Sequence, residues 1–395
     1  MEKSKNHIWI VFIILWIPLL AFELLSTNKH NYKWVFVYYM SYDNNLGRYG
    51  TQIINELSKG ISNDEIAVIT QIDFSDNKGM KRIIQTYSDG EINVNEKFLR
   101  REDSADTKEL EEFLDWISDK WKAENYCVVF TNHGGMLNSM CLDERPFSKV
   151  KANKKFPSGK WFQADHVAKI LADFNQNVDG KVRLLFLQQC GKAQIQSLYS
   201  FTDTCEYLMA SPVAVGAPNT YYTKTLQAIT GNPEITGRAL AETIMKEDEH
   251  YNIYTLINTD KMKELPQKIT PVLNAFTQAE SLEAPKDIRF MFEHTDEKFY
   301  DFQTYLKSLS LANNNIAQNQ LQTFFGWCDT SLVENVSFKN YSPEYEGYIP
   351  IDQSWRCGLS LYVPSTKEEL GRYDYLPIYK QTNLEEFMRL IVNSK

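Results

Sequence analysis

Apolar residues along this chain form short continuous runs that alternate with segments of helical periodicity. The runs are rich in β-branched and aromatic residues, and they predict buried strands over 34–40, 66–73, 126–131, 182–187 and 357–363. Amphipathic spacing predicts helices over 46–57, 106–122 and 163–174. A hairpin is predicted where 82–87 and 91–98 flank Ser88-Asp89-Gly90. This alternation predicts an α/β fold with a mainly parallel sheet and helices on both of its faces.

Helical periodicity dominates the second half of the chain. The predicted helices there cover 236–247, 262–280, 301–311, 316–325 and 384–392. We find neither an internal repeat nor a low-complexity linker. The expected organisation is a signal anchor and spacer over 1–32, a core over 33–230, and a mostly helical part over 231–395. This last part is expected to pack on the core and to contribute the late strand.

The N-terminus carries a targeting pattern. Lys3 and Lys5 precede an apolar run that extends from residue 8 to residue 25, with Pro18 and Glu23 as interruptions. Its length lies between that of a signal-peptide core and that of a spanning helix, and no small-residue cleavage site follows it. We therefore expect an uncleaved anchor that holds the chain in the membrane through residues 8–25. The remainder would then be exported to the periplasm or the cell exterior.

Charge and cysteine content exclude two broad classes. The formal net charge is -9 and no basic stripe interleaved with aromatic residues is present, so nucleic acid is not an expected partner. The six cysteines lack C-x-x-C spacing, which argues against a zinc site built on cysteine pairs. Four of them could form disulfides in an exported domain: Cys141, Cys205, Cys328 and Cys357.

Two predicted strands end one step before a reactive side chain. His133 follows the strand over 126–131, and Cys190 follows the strand over 182–187. Reactive groups collect beyond the carboxyl ends of parallel strands, and an imidazole near a thiol makes the nucleophilic thiolate accessible. Taken alone, His133 is explained as a turn histidine with its hydrogen bonds satisfied, and Cys190 as an inert buried cysteine. Their joint placement favours a base and a nucleophile.

Glycines beside these two residues suit the same chemistry. The amides of Gly134 and Gly135 could face a developing oxyanion, and Gly191 adds a further small backbone position next to the thiol. Gln188-Gln189-Cys190-Gly191 also nearly matches the caspase signature Q-A-C-[RQG]-G, which has a histidine about 50 residues upstream. It departs from that signature at Gln189 and Lys192.

The chain resembles the clostripain family of cysteine peptidases, in the clan that also contains caspases, legumains and gingipains. The matching segments are 39–46, Asn132-His133-Gly134, the strand that ends at Cys190, 208–211 and 358–364. The resemblance implies a caspase-like fold, a His133/Cys190 dyad, and cleavage of peptide or protein substrates through an acyl-enzyme. Such chemistry requires no cofactor. Asp43 and Asp73 end neighbouring strands and could bind a cation such as Ca²⁺, although capping and turn formation explain them equally well.

One departure from the family concerns specificity. Family members usually carry an Asp two residues before the nucleophile, where it helps to select Arg or Lys, and this chain has Gln188. The segment over 211–218, which begins with Ser211, also lacks acidic residues. A bound cation without a counter-charge is costly to desolvate, so we expect a neutral or polar preference, or an acidic one, rather than strict Arg/Lys specificity.

Two further classes of function use the same fold. The chain could be a catalytically silent binding or scaffold protein of the cell envelope, or a cysteine transpeptidase that passes the acyl group to an amine. The lysine-rich loop over 143–160 is placed where family members are cut during activation. Because the expected specificity is not for lysine, we expect at most a partner protease to cut this loop.

Overall fold

The computed structural model describes residues 30–74, 79–99, 103–146, 159–250, 252–286, 288–339 and 357–394. The predicted membrane segment over 8–25 and most of the lysine-rich loop lie outside these residues. Within the described ranges, no helix has the length and apolar character needed to cross a membrane.

A nine-stranded sheet forms the centre of the described chain, in the order β13-β10-β9-β8-β5-β1-β2-β3-β4. Its five middle strands, from β9 to β2, are mutually parallel, and two antiparallel strands flank them at each side. Two smaller sheets, β11-β12-β14 and β6-β7, contain the other strands of the described chain. The strands of all three sheets are β1 (Asn31–Tyr42), β2 (Ile66–Phe74), β3 (Lys81–Ser88), β4 (Glu91–Phe98), β5 (Lys122–Thr131), β6 (Ser139–Asp143), β7 (Lys160–Gln163), β8 (Lys181–Gln188), β9 (Tyr207–Ala210), β10 (Asn252–Asn258), β11 (Phe292–His294), β12 (Glu297–Asp301), β13 (Val333–Lys339) and β14 (Ser360–Tyr362).

Helices cover both faces of this sheet. The α-helices of the described chain are α1 (Gly47–Gly60), α2 (Thr107–Lys120), α3 (Ala164–Asn177), α4 (Ile195–Leu198), α5 (Tyr222–Gly231), α6 (Gly237–Glu247), α7 (Thr259–Met262), α8 (Leu265–Thr277), α9 (Phe302–Ala312), α10 (Gln318–Trp327), α11 (Lys367–Gly371), α12 (Pro377–Gln381) and α13 (Leu384–Asn393).

The apolar runs are continuous because both faces of the middle strands are buried. Along β1, Val35 and Val37 lie in the core under α2 and α3. Phe36 and Tyr38 point the other way, into the core under α1, α5 and α6. A strand covered on one face only would alternate apolar and polar residues instead. The α/β fold with a mainly parallel sheet and helices on both faces is therefore confirmed.

Local predictions hold best where periodicity is strong. The helix predicted over 106–122 begins at its N-cap Asp106, whose side chain accepts a hydrogen bond from the Lys108 amide. The hairpin forms as predicted from β3 and β4. The late strand is shorter than predicted, and it joins a small sheet with β11 and β12 rather than the central one.

One feature of the second half differs from the sequence-based expectation. The expectation of helices beyond residue 231 overlooked β10 and β13, which extend the central sheet and lie at one edge of it.

The four cysteines considered for disulfides are all free and buried, and so is Cys127. The division of the chain at residue 230 stays a prediction.

Candidate active site

The register of two neighbouring strands brings the predicted base and nucleophile to one edge of the sheet. Thr131 at the end of β5 is the register partner of Gln188 at the end of β8. His133 and Cys190 each follow two residues later, so both lie beyond the same carboxyl edge. Gly134 touches the backbone of Cys190: a Cβ atom placed on it would lie 2.8 Å from the Cys190 carbonyl carbon and 3.1 Å from its nitrogen.

His133 is held by a residue from the first βα turn. Its Nε2 lies 2.7 Å from Oδ1 of Asn45. An amide oxygen only accepts hydrogen bonds, so Nε2 carries the proton and Nδ1 keeps its lone pair. Burial lowers the pKa of His133, which favours the neutral imidazole that a base requires. Asn45 was noted in the sequence only as part of a family motif, and its contact with His133 was missed.

Cys190 is partly exposed, and its sulfur faces the segment that follows β9. Burial raises the pKa of the Cys190 thiol, while the Val215 amide and the positive charge of Lys192 act in the opposite direction. The Val215 amide donates to Sγ at 3.4 Å, and Sγ lies 3.9 Å from the Val215 carbonyl oxygen. The resting side chain is therefore a thiol, which needs a base to become a nucleophile.

The three candidate oxyanion glycines differ in what their amides contact. The Gly135 amide donates to the Ser139 carbonyl oxygen at 3.1 Å, and the Gly191 amide donates to that of Val213 at 2.8 Å. Among the described residues, the Gly134 amide has no such acceptor. In this conformation Gly134 is therefore the member of the set whose amide is available to a ligand.

The two predicted pocket residues are buried, and their polar groups are engaged. The Gln188 amide donates to Asn219 Oδ1 at 2.5 Å and to the Tyr222 hydroxyl at 3.0 Å, and its oxygen accepts from Tyr221. The Ser211 hydroxyl donates to the Val213 carbonyl oxygen at 3.0 Å. Both side chains are therefore held by internal contacts, and their role in a substrate pocket stays a prediction.

A buried carboxylate, that of Asp248, is linked to Gln188 through Asn219, and the sequence analysis missed it. Asn219, which contacts Gln188, donates to Asp248 Oδ2 at 2.6 Å. Asp248 also accepts from the Tyr254 hydroxyl at 2.8 Å and from the Thr220 amide at 3.0 Å. The network joins Gln188 to residues 219–220 and 248–254, so no local motif could have revealed it.

Three aspartates converge near the turn that carries Asn45. Asp43, Asp73 and Asp143 are buried, and one carboxylate oxygen from each lies within 4.8 Å of the others. Oxygen donors of this type suit Ca²⁺ or Mg²⁺. Arg145 already places its guanidinium 2.7 Å from Asp43 Oδ1. Burial raises the pKa of Asp143 to about 7, and the neighbouring charges of Asp43 and Asp103 add to this effect.

Comparison with known families identifies the class of this protein. The model of the clostripain family matches residues 38–348, so the chain belongs to that family and is a cysteine peptidase that acts on peptide or protein substrates. The resemblance seen in the sequence is thereby confirmed. No curated protein matches the chain.

Solved structures show the same fold at low sequence identity. An inactive zymogen of a C11 protease from Parabacteroides distasonis has a TM-score of 0.68 and 17% identity, over 89% of this chain and 99% of that one. A secreted C11 cysteine protease from Bacteroides thetaiotaomicron in complex with an irreversible peptide inhibitor has a TM-score of 0.62 and 15% identity, with the same two coverages. A second structure of a secreted C11 cysteine protease from Bacteroides thetaiotaomicron has a TM-score of 0.67 and 14% identity, again over 89% and 99% of the two chains.

Proposed function

We propose that the chain cleaves peptide bonds with Cys190 as nucleophile and His133 as general base. The observation that carries this proposal is the pairing of Thr131 with Gln188, which sets both reactive residues beyond one edge of the sheet. The contact of Gly134 with the Cys190 backbone fixes the two loops against each other.

His133 Nδ1 takes the proton of the Cys190 thiol, since Nε2 is committed to Asn45. The sulfur then forms a bond to the carbonyl carbon of the scissile peptide, and the π electrons move onto the carbonyl oxygen. The protonated imidazole returns its proton to the leaving nitrogen, the C–N bond breaks, and a thioester remains. Water, deprotonated by the same imidazole, attacks this acyl-enzyme and releases the acid together with the thiol.

The negative oxygen of each tetrahedral intermediate needs hydrogen-bond donors in place before charge develops. The amides of Gly134 and Cys190 are the donors that we assign to it. The assignment is supported by the available Gly134 amide and by its contact with Cys190. The amides of Gly135 and Gly191 already have acceptors, so we do not assign them as donors. The absence of a Cβ atom at these two positions makes room for the Trp161 and Phe292 rings.

Specificity for Arg or Lys is not expected to be strict. The residue two positions before Cys190 is the neutral Gln188, and Asp248 behind it already accepts from Asn219, Tyr254 and Thr220. A cationic side chain would gain no free carboxylate here and would lose its hydration. We propose a neutral or polar residue at the cleaved bond, or an acidic one.

Cysteine and histidine supply both the nucleophile and the base, so we propose that turnover needs no cofactor. The cluster of Asp43, Asp73 and Asp143 is the place where a Ca²⁺ ion would act on the structure rather than on the chemistry. Turnover that is unchanged after dialysis against a chelator supports this proposal. Turnover that is lost while the circular dichroism spectrum stays unchanged, and that Ca²⁺ then restores, overturns it.

Export of the chain is supported by the secreted relatives from Bacteroides thetaiotaomicron and by the targeting pattern of the N-terminus. We propose anchoring through residues 8–25 and a catalytic part outside the cytoplasm. Recovery of the full chain in the membrane fraction after a carbonate wash tests the anchor, and recovery in the soluble fraction contradicts it.

The loop over 143–160 is proposed to remain uncut unless a partner protease is present. The Parabacteroides distasonis relative is described as an inactive zymogen, which supports regulation by cleavage. The intact mass of the purified chain tests this: one uncut species agrees with the proposal, and two fragments formed without any other protease contradict it.

Turnover of a positional-scanning peptide library by the purified chain, with Cys190→Ala as control, tests the function. Turnover that vanishes in the control supports the peptidase, and its sequence preference tests the pocket argument. Preference for Arg or Lys would overturn that argument. No turnover would favour the scaffold, and products formed only with an added amine acceptor would favour the transpeptidase.

A further inference from the structure

Lys192 lies two residues after the nucleophile and is buried, with 1% of its surface exposed. Its Nζ donates to the carbonyl oxygen of Met136 at 2.9 Å and to that of Ser139 at 2.7 Å. These carbonyls belong to the turn that directly follows His133-Gly134-Gly135. The ammonium group thus joins the segment that carries the nucleophile to the segment that carries the base.

A buried carboxylate holds the same turn from the other side. Glu297, from β12, accepts from the Leu137 amide at 2.8 Å and from the Tyr373 hydroxyl at 2.5 Å. Arg372 Nη1 lies 3.9 Å from the same carboxylate. The turn over 136–139 is therefore fixed by a cation that contacts its carbonyls and an anion that contacts its amide.

A lysine in this position is unusual, because burial of an ammonium group is costly unless acceptors surround it. Two carbonyls occupy two of its three donors. Apolar residues would fill the same space at lower cost, and a neutral amide could bond the same carbonyls. The choice of lysine therefore calls for a role for its positive charge.

The titratable groups that interact with the charge of Lys192 are Glu297, Cys141, Cys190 and His294. Burial lowers the pKa of Lys192 to about 7, while Glu297, Cys141 and Cys190 oppose this shift when they are ionised. The charge of Lys192 in turn lowers the pKa of Cys190, against the effect of burial. Burial lowers the pKa of His294 to about 4, and the charges of Lys192 and His133 add to this effect. A Cys190 thiolate and a Lys192 ammonium therefore stabilise each other.

We propose that Lys192 is a positioning residue of the peptidase, which fixes the His133 turn against Cys190 and stabilises the Cys190 thiolate through its charge. This inference rests on the proposed dyad. It concerns a residue that contacts neither the substrate nor the reacting bond.

The test measures the rate of Cys190 alkylation by iodoacetamide as a function of pH, followed by intact mass. The variants are Lys192→Met, which removes charge and donors, Lys192→Gln, which keeps neutral donors, and Lys192→Arg, which keeps the charge. Lys263→Met removes a charge from an exposed ion pair far along the chain and serves as the matched control.

We expect both neutral variants to slow alkylation about tenfold below pH 7, where Lys192 is charged, because a nearby opposite charge shifts a pKa by about one unit. Lys192→Arg and Lys263→Met should keep the wild-type rate there. Unchanged rates below pH 7 in folded Lys192→Met and Lys192→Gln would overturn the proposal, even if turnover falls. It is also overturned if neither neutral variant folds, because Lys192 then serves stability alone. Alkylation requires no turnover, so a failure of the proposed function would be seen separately.

Discussion

Gly134 packs against the backbone of Cys190 so closely that a side chain at position 134 would overlap the Cys190 carbonyl oxygen. This contact joins the loop after β5 to the loop after β8. Among the described residues, the Gly134 amide has no backbone acceptor. The close approach of these two chain segments depends on the absence of a Cβ atom at position 134.

Gly134→Ala should therefore abolish most of the activity. We expect kcat/KM to fall on the order of 100-fold or more, as for the loss of an oxyanion donor. Gly231→Ala is the matched control, because nothing lies within 4 Å of a Cβ atom at that position. Peptide turnover measured for both variants checks the prediction, and a Gly134→Ala enzyme with wild-type kcat/KM would refute it.

Asn45 should orient His133 without touching the substrate. In Asn45→Ala the imidazole loses its acceptor, and we expect kcat to fall roughly 10- to 100-fold with little change in KM. In Asn45→Asp a carboxylate faces Nε2, which should raise the pKa of His133. Because the reaction requires the neutral imidazole, the acidic limb of the pH–rate profile should move to higher pH. An unchanged limb in a folded Asn45→Asp variant would contradict this role, and Asn93→Asp on the exposed hairpin is the control.

Stability should fall in alkaline solution. Burial raises the pKa of Cys141 and Cys205 to about 12, and that of Cys127, Cys328 and Cys357 also rises. Between their ordinary pKa and these values, the native state holds protons that the unfolded state has released, so stability decreases as pH rises. Each ionised thiol contributes about 1.4 kcal/mol per pH unit.

Lys192 has the opposite effect: between pH 7 and its ordinary pKa of 10.5, its lowered pKa makes stability rise with pH. It is one group, whereas five thiols make stability fall. Urea unfolding at pH 8 and pH 10 measures the difference. We expect a lower free energy of unfolding at pH 10 and a smaller loss in Cys328→Ala. Equal stability at the two pH values would show that the thiols are not buried as described.

Tyr373 should stabilise the catalytic turn through Glu297. Its hydroxyl donates to this buried carboxylate at 2.5 Å, so Tyr373→Phe leaves a buried acceptor without its donor. We expect a loss of roughly 1–3 kcal/mol in the free energy of unfolding. Tyr87→Phe, in the hairpin, should change it by less than about 0.5 kcal/mol. Equal values for the two variants in urea titrations would exclude a special role for Tyr373.

The sequence predicted those parts of the fold that local patterns specify. β1 was recognisable because its two buried faces make an unbroken apolar run. β10 and β13 were not, because polar residues such as Thr255 and Glu334 interrupt them, and their place in the sheet depends on pairing across a long separation. His133 and Cys190 could be found because each follows a readable strand. Asn45, Lys192 and Asp248 could not, because their partners are distant in sequence and only the register brings them together.

The measurement that tests the dyad most directly is the site and rate of labelling by an irreversible thiol-reactive peptide probe, read by intact mass and peptide mapping. Five of the six cysteines are buried, so the label reports on reactivity as well as access. We expect a single label on Cys190, formed far more slowly in His133→Ala and not at all in Cys190→Ala. Labelling at another cysteine, or labelling of Cys190 at the same rate without His133, would contradict it.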